Sequence, residues 1–315
     1  MKYNPGLHRT GTPGKEREEP WLWGILACPW CGGELEPEPV GALCTKCGEK
    51  HERTWEGRLD LRIKRAKRVK MEVEVGGQPG GSVTEPFRIL GEKAGIADHF
   101  KGVPLPRHFS VEMLRQFPVG ARGSVALDLG CGTGEHRELC RRAGFQWVGV
   151  DISPSSEATV LADAHALPFQ SEVFDLVLSV AVLEHLAHPF VAVGEVRRVL
   201  RLKGCFMGTV AFLEPYHSNS HYHHSHLGVL ACLQAAGLKV QWISPQSGWD
   251  ALHALAGQLF PRAPRRLARG FVGPTRLLHT LWWLGGRLLS AKGSMLEHKR
   301  LFSLAGAFVF KALKE

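Results

Sequence analysis

The chain has 315 residues, of which 44% are hydrophobic and 22% charged, and its formal net charge is +9. Its length suits one large domain plus a small one, and argues against a disulfide-stapled secreted module. The positive charge favours an anionic partner such as nucleic acid, acidic lipid or a phosphorylated substrate, or reflects a solvated basic surface. We expect a cytoplasmic protein with reduced thiols, because no stretch reaches the roughly 18 apolar residues of a spanning helix and no signal peptide is visible.

The composition divides the chain into four segments. Residues 1–20 are polar, which is typical of a disordered tail, and 21–62 hold two cysteine pairs. The basic run RIKRAKRVK and a later Gly-rich stretch indicate a linker over 63–84. The main domain then covers 85–315, with a helical insertion over 248–303.

Two C-x-x-C motifs, Cys28-Pro-Trp-Cys31 and Cys44-Thr-Lys-Cys47, lie near the N-terminus. Zinc binds four tetrahedral ligands and accepts thiolates, and a two-residue gap lets both sulfurs of one motif reach one ion. Four protein ligands leave no open position for water or substrate, so we predict a zinc ribbon with a structural Zn²⁺. A redox role is the minor alternative, since a redox C-x-x-C normally occurs alone.

Downstream, apolar strands alternate with amphipathic helices, the pattern of a parallel α/β sheet. The predicted helices are 135–143, 189–201 and 225–236. The predicted strands are 125–129, 147–151, 160–162, 174–180, 205–210, 238–243 and 306–311.

A glycine-rich turn follows the first of these strands, in the segment VALDLGCGTG. Such a turn lets a ligand approach the backbone at the carboxyl end of the strand. The dinucleotide spacing fails because the third glycine comes one residue early, and no Gly-Lys-Ser/Thr follows as in a phosphate loop. Asp128 and Glu135 flank the turn, where they would repel a pyrophosphate but suit a ligand with an ammonium and a sulfonium. Asp151 ends the second strand, where a carboxylate accepts both ribose hydroxyls.

The segments VALDLGCGTG, VGVDIS, ADAHALPF, FDLVLSVAVLEHL and EVRRVLRLKG resemble the successive motifs of class I S-adenosylmethionine-dependent methyltransferases of the type 11 group. The resemblance covers about 125–243 and implies a doubly wound, Rossmann-like sheet. It implies that Asp128, Gly130, Gly132 and Gly134 hold the methionine part of S-adenosylmethionine, that Asp151 holds the ribose, and that Asp163 and Ala164 hold the adenine. Cys131, Ile152 and Val180 complete the predicted cofactor-binding set. The N-terminal ribbon is similar to those fused to some of these enzymes.

One departure from the family pattern concerns the connection after the second strand. Only about eight residues join Asp151 to the third strand, whereas a right-handed crossover normally needs a dozen or more. The sequence therefore predicts that the crossover helix is missing and that one face of the adenine pocket lies open. The usual Gly-Gly turn before the fifth strand reads Gly204-Cys205, a milder change.

The predicted catalytic residues lie beyond the fourth and fifth strands. Glu184 and His185 are candidate bases, or serve only to fix the start of a helix. His217 and His221 belong to a histidine-rich loop, 216–226, which could supply a base, bind a metal, contact a polar substrate or be a plain solvated loop.

Three functions remain open from the sequence. The leading hypothesis is an O- or C-methyltransferase acting on a small molecule, a glycan or a lipid-linked acceptor. The alternative is an rRNA or tRNA methyltransferase that uses the ribbon and the basic run to bind RNA. The third is a binding protein on a degenerate enzyme fold.

The helical insertion has two interpretations of its own. Residues 261–303 carry nine Lys or Arg, one acidic residue and a Trp/Leu-rich run. This pattern indicates either a peripheral membrane contact or a lid whose Trp282 and Trp283 pack on the sheet.

Overall fold

The computed structural model describes residues 20–71, 86–90, 100–214, 219–289 and 293–315. Residues 1–19 of the expected tail and 72–84 of the expected linker lie outside these ranges. The strands are β1 (Leu35–Glu38), β2 (Gly41–Cys44), β3 (Lys50–Glu52), β4 (Leu59–Asp60), β5 (Val125–Leu129), β6 (Gln146–Asp151), β7 (Val160–Leu161), β8 (Phe174–Val180), β9 (Leu200–Ala211), β10 (Leu238–Pro245) and β11 (Ala307–Lys314). The helices are α1 (Pro20–Trp23), α2 (Val111–Arg115), α3 (Arg137–Arg142), α4 (Pro189–Val199), α5 (His226–Ala235), α6 (Ala251–Leu259), α7 (Arg265–Leu289) and α8 (Gly293–Leu304).

Eight strands form one sheet in the order β10-β11-β9-β8-β5-β6-β7-β4. Pairing is parallel except at β11, which runs antiparallel to both β9 and β10. This confirms the predicted doubly wound α/β class. The bounds of β5 and β8 agree with the prediction, whereas β9 begins five residues early because Leu200 already pairs with Phe174.

The cysteine segment packs on the sheet rather than standing apart from it. Strands β1 to β3 form a small antiparallel sheet, and β4 continues from it to pair with β7 as the eighth strand of the main sheet. Leu26 and Leu59 belong to the same buried cluster as Val150 and Phe169 of the main domain. The ribbon and the sheet therefore share one hydrophobic core.

The connection between β6 and β7 contains no helix, as the sequence predicted. Two arginines of the ribbon hold it instead. Arg58 donates to the carbonyls of Pro154, at 2.7 Å, and of Ser156, and Arg62 donates to the carbonyl of Ile152 at 3.2 Å. The ribbon thus braces the short segment that follows Asp151.

The predicted helical insertion is present as α6, α7 and α8. Its two ends are neighbours, since Asp250 bridges Ala305 and the Gly306 N–H donates to the carbonyl of Trp249 at 3.3 Å. Among the described helices, none combines the length and the apolar character needed to cross a bilayer.

Candidate active site

The glycine turn after β5 presents bare backbone at the carboxyl edge of the sheet. Gly130, Gly132 and Gly134 all have positive φ, a conformation that L side chains rarely adopt. A Cβ on Gly130 would lie 2.6 Å from Cγ2 of Val182, so the turn packs closely on the segment after β8. A Cβ on Gly132 would meet no atom within 4 Å, so this glycine borders open space in which a ligand fits.

Asp128 lies beneath this turn and is completely buried. Its carboxylate accepts a hydrogen bond from Trp147 Nε1 at 3.1 Å and contacts His136 Nδ1 at 3.2 Å. Burial alone would lower the pKa of His136, but the hydrogen bond and charge of Asp128, with the charge of Glu135, outweigh it and raise that pKa. Asp128 therefore contacts the start of α3 through His136 and β6 through Trp147, and its part in holding the methionine portion of the cofactor stays a prediction.

Asp151 ends β6 beside the turn. One carboxylate oxygen accepts from the Gly132 N–H at 2.9 Å and the other from the Ser153 N–H at 2.8 Å. Each oxygen has a second lone pair, so the predicted bond to ribose hydroxyls remains compatible with this geometry. The neighbouring Ile152 side chain is exposed, as expected of an apolar group that a bound adenosine would cover.

Asp163 follows β7 and is held by a residue that the sequence analysis missed. His165 Nδ1 lies 2.6 Å from Asp163 Oδ1, while His165 Nε2 accepts the His188 N–H at 3.2 Å. Nδ1 therefore carries the proton that it donates to Asp163. This hydrogen bond lowers the pKa of Asp163 in spite of partial burial. The Asp-x-His spacing at a strand end was the available signal for the pair; Ala164, between them, is half-buried.

Two predicted cofactor residues point into the protein. The Cys131 side chain is buried, with Ala158 and Leu161 in its cluster, and burial raises the pKa of its thiol above the ordinary range. Val180 is buried in the cluster that contains Leu178 and Met207. A ligand meets these two residues through their backbone, and their part in cofactor binding stays a prediction.

Glu184 lies in a single 3₁₀ turn, 183–185, just beyond β8. The chain reaches it through Ala181, whose positive φ of 54° is rare for a residue other than glycine and marks local strain. The Glu184 side chain is only 1% exposed, and its Oε2 has no hydrogen-bond partner among the described residues. Burial is the main cause that raises the pKa of Glu184 to about 7, and the nearby charge of Glu214 adds to it.

Residues 221 and 222 of the histidine-rich loop bond to the backbone of Glu184. The backbone N–H groups of His221 and Tyr222 donate to the Glu184 carbonyl at 2.7 and 3.1 Å. The His221 side chain itself is exposed, and His217 lies outside the described residues. His185 is half-buried, with its Nδ1 3.2 Å from the carbonyl of Asn219.

His224 is the loop histidine that the fold buries. Its N–H donates to the carbonyl of Ala211 at 2.8 Å, and its Nε2 has no partner among the described residues. Burial lowers its pKa and so favours the neutral imidazole. The Ala211 backbone bonds both the His224 N–H and the Glu184 side chain, so both residues are anchored at the carboxyl end of β9. The sequence did not distinguish His224 from its neighbours, since five histidines share one loop.

The four cysteines Cys28, Cys31, Cys44 and Cys47 come together as predicted. Their sulfurs all lie within 4.8 Å of one another, with Cys28 and Cys47 at 3.8 Å and Cys31 and Cys44 at 3.5 Å. A tetrahedral zinc ion with Zn–S bonds of about 2.3 Å places its sulfurs about 3.8 Å apart. The donor set therefore fits Zn²⁺.

Comparison with known proteins identifies the main domain. Residues 127–208 match the family described as "Methyltransferase domain". This segment contains the glycine turn, Asp151, Asp163 and Glu184. The chain therefore carries a class I S-adenosylmethionine-dependent methyltransferase domain, preceded by a four-cysteine cluster.

Curated relatives match only the central part of the chain. An uncharacterized protein of Methanocaldococcus jannaschii is 36% identical over 98 residues, covering 28% of this chain and 38% of its own. The tRNA (carboxymethyluridine(34)-5-O)-methyltransferase of Arabidopsis thaliana is 33% identical, covering 33% and 30%. The ubiquinone biosynthesis O-methyltransferase of Cereibacter sphaeroides is also 33% identical, covering 28% and 41%. The chain thus spans well under half the length of these relatives.

Solved structures show a general likeness. The phosphoethanolamine N-methyltransferase 2 of Haemonchus contortus, in complex with S-adenosyl-L-methionine, is 17% identical, with a TM-score of 0.40 over 64% of this chain and 51% of its own.

Proposed function

We propose that the protein transfers a methyl group from S-adenosylmethionine to an oxygen or carbon atom of a small-molecule, lipid-linked or glycan acceptor, and that the oxygen case fits best. The observation that carries this proposal is Glu184. It is a buried carboxyl group, one oxygen of which has no partner in the described part of the chain, and it lies next to the segment on which the glycine turn packs.

S-adenosylmethionine, when bound, supplies a methyl group that is already activated. The chain's own residues then have to bind the cofactor, orient the acceptor and remove its proton. A general base works best when its pKa lies near the working pH, and the pKa of Glu184 is about 7. Glu184 is therefore suited to accept the proton of an acceptor hydroxyl, with neutral His224 beside it as a hydrogen-bonding partner of the acceptor.

Two further observations support an oxygen acceptor. The named relatives from Arabidopsis thaliana and Cereibacter sphaeroides are both O-methyltransferases by name. The end of β8 and the two residues that follow read Ser179-Val-Ala-Val, without the Asn/Asp-Pro-Pro-Tyr/Phe motif usual for methylation of the amine of a flipped base.

The RNA alternative rests on the ribbon and the basic run 62–70, and the Arabidopsis thaliana relative is a tRNA methyltransferase by name. Most of the basic run, however, is already engaged. Lys64 pairs with Glu52, and Arg65 pairs with Glu49 and lies 4.0 Å from the centroid of the Trp30 ring. Lys67 donates to a ribbon carbonyl, and Arg62 pairs with Asp60 and braces the β6–β7 connection. These charges serve the ribbon itself, which in this proposal holds a structural Zn²⁺.

Transfer of labelled methyl groups to fractionated extracts tests the proposal. The intact protein and labelled S-adenosylmethionine are incubated separately with lipid, water-soluble small-molecule, glycan and RNA fractions, with Asp151→Ala as the inactive control. We expect label in one of the first three fractions, in an alkali- or acid-stable ether or in an ester. RNase-sensitive label would establish the RNA alternative. Failure to bind S-adenosylhomocysteine in a calorimeter would contradict the enzyme assignment altogether.

A further inference from the structure

Helix α7 has an apolar face that points away from the protein. The exposed side chains on this face are Leu267, Phe271, Leu278, Leu281, Trp282 and Leu289. At 3.6 residues per turn these positions fall on one side of the helix, and from Leu267 to Leu289 the stripe is about 33 Å long at a rise of about 1.5 Å per residue. Trp282 is 79% exposed, whereas the lid interpretation requires it to pack on the sheet. We define these six residues as the outer stripe.

The opposite face of α7 holds the helix to the rest of the insertion. Val272 is buried with Ala256 of α6. Arg276 bonds the Asp250 carboxylate at 2.8 Å, and Arg287 bonds Glu297 of α8 at 3.0 Å. An amphipathic helix that packs on its own protein normally turns its apolar side inward. Here the charged side is turned inward and its ion pairs fix that orientation.

The charge of the insertion indicates what covers the outer stripe. Between residues 251 and 304 there are nine lysines and arginines against the single acidic residue Glu297, so this segment carries +8 of the chain's net +9. A second copy of the chain would bring an equally positive surface against the stripe. An anionic surface would complement the positive charge of the insertion. Because the outer stripe is apolar, that surface must also have an apolar layer beneath its charged groups.

We propose that α7 lies flat on an anionic lipid bilayer, with the outer stripe in the headgroup boundary and the exposed Arg262 and Arg266, at the N-terminal end of the helix, against lipid phosphates. The helix is too polar to span the bilayer, which agrees with a position in the plane of the surface. Tryptophan and leucine beside basic side chains are the residues that favour this depth.

Both ends of the insertion are anchored beside the end of β9, on the acceptor side of the domain. Trp249, at the start of the insertion, donates from Nε1 to the Leu213 carbonyl at 3.1 Å. Gly306, at its end, accepts from the Phe212 and Leu213 N–H groups at 3.0 and 2.7 Å. These residues follow β9 directly and lead into the loop that covers Glu184. If the proposed function holds, a lipid-linked acceptor would reach the site from this side; binding to the bilayer does not depend on it.

Sedimentation with vesicles tests the inference on the full-length chain. The vesicles are phosphatidylcholine alone or an equal mixture with phosphatidylglycerol, at low and at high salt. The test variant combines Leu278→Ser and Trp282→Ser, and the matched control is Trp55→Ser, which alters a ribbon tryptophan that is 88% exposed. Both variants change exposed side chains, so unfolding is not expected, and circular dichroism verifies this.

We expect the intact chain and Trp55→Ser to sediment with mixed vesicles, more weakly at high salt and weakly with phosphatidylcholine alone. The double variant should partition at least about tenfold less well, because two large apolar side chains no longer enter the boundary. Equal sedimentation of the double variant and the control would overturn the proposal, as would absence of the intact chain from the pellet at low salt. A concentration-dependent dimer that the double variant abolishes, without vesicle binding, would assign the stripe to a second copy instead.

Discussion

Asp151 is the residue on which cofactor affinity should depend most. Its carboxylate ends β6 and is bonded to the glycine turn through the Gly132 N–H. Asp151→Ala removes both the ribose acceptor and this bond to the turn, so we expect S-adenosylhomocysteine to bind about 30-fold more weakly, a loss of about 2 kcal/mol. Calorimetry measures this loss of affinity. Asp151→Asn keeps one oxygen and should fall in between, whereas Glu138→Gln on the exposed side of α3 should bind normally. An unchanged affinity in Asp151→Ala would remove this residue from the site.

Glu184 offers a test that separates chemistry from folding. Because burial raises its pKa from 4.5 to about 7, the folded chain holds a proton that the unfolded chain releases between these values. The free energy of unfolding therefore falls as the pH rises through this window, by an amount on the order of 3 kcal/mol at pH 8. Glu184→Gln has no carboxyl group to ionise, so its free energy of unfolding does not fall in this way. It should leave stability at pH 4.5 nearly unchanged and raise it at pH 8, while lowering turnover about a hundredfold or more.

Denaturant unfolding at the two pH values, together with the methyl-transfer assay, checks this expectation. Glu138→Gln, which changes an exposed carboxyl paired with Arg142 on the surface of α3, is the control and should change neither quantity by much. Equal stability of the Glu184→Gln and intact chains at pH 8 would mean that the carboxyl group is hydrated and not a buried base.

The sequence identified residues whose role follows from local position. Gly130, Gly132 and Gly134 lie in a turn between a strand and a helix, and Asp151 ends a strand, so parallel pairing alone brings them together. The sequence did not predict the contacts that Asp128 and His224 make. Asp128 is covered by Trp147 from the next strand, and the loop around His224 is anchored by bonds to Glu184 and Ala211. Such partners are chosen by tertiary packing, which one strand's sequence does not contain.

At the scale of elements, the ribbon and the cofactor site should be coupled. In the structure, β4 covers the edge of β7, and Arg58 holds the carbonyls after Asp151. Cys44→Ser should therefore lose zinc and ribbon structure, keep most of the sheet, and also weaken S-adenosylhomocysteine binding about tenfold, the order of one or two lost charged hydrogen bonds.

Metal analysis and calorimetry on the same samples check this coupling. The intact chain should contain one zinc per molecule, and so should Trp55→Ser, whose altered side chain lies on the ribbon surface. Normal cofactor affinity in a zinc-free Cys44→Ser chain would show that the β6–β7 connection keeps its conformation without support from the ribbon. The two-residue strand β4 is too short to be predicted from periodicity, which is why this contact was not anticipated.

At the scale of the whole molecule, the insertion should be separable from the catalytic fold. The ribbon and the sheet share one large buried cluster, whereas Val272 and Ala256 form a small one of their own. Phe302 is the exception, since it belongs to the main cluster with Phe308. Because Asp250 and Ala305 are adjacent, a short linker can replace residues 253–299 without stretching the chain.

We expect this shortened chain to fold cooperatively with a Tm within about 4 °C of the intact protein, since little of the shared core is removed. It should bind S-adenosylhomocysteine normally, because the glycine turn and Asp151 lie on β5 and β6, and it should no longer sediment with anionic vesicles. Scanning calorimetry, cofactor titration and the vesicle assay give the three readings. Loss of cooperative folding would show that the insertion is part of the core, and a loss of cofactor affinity alone would restore the lid interpretation for α7.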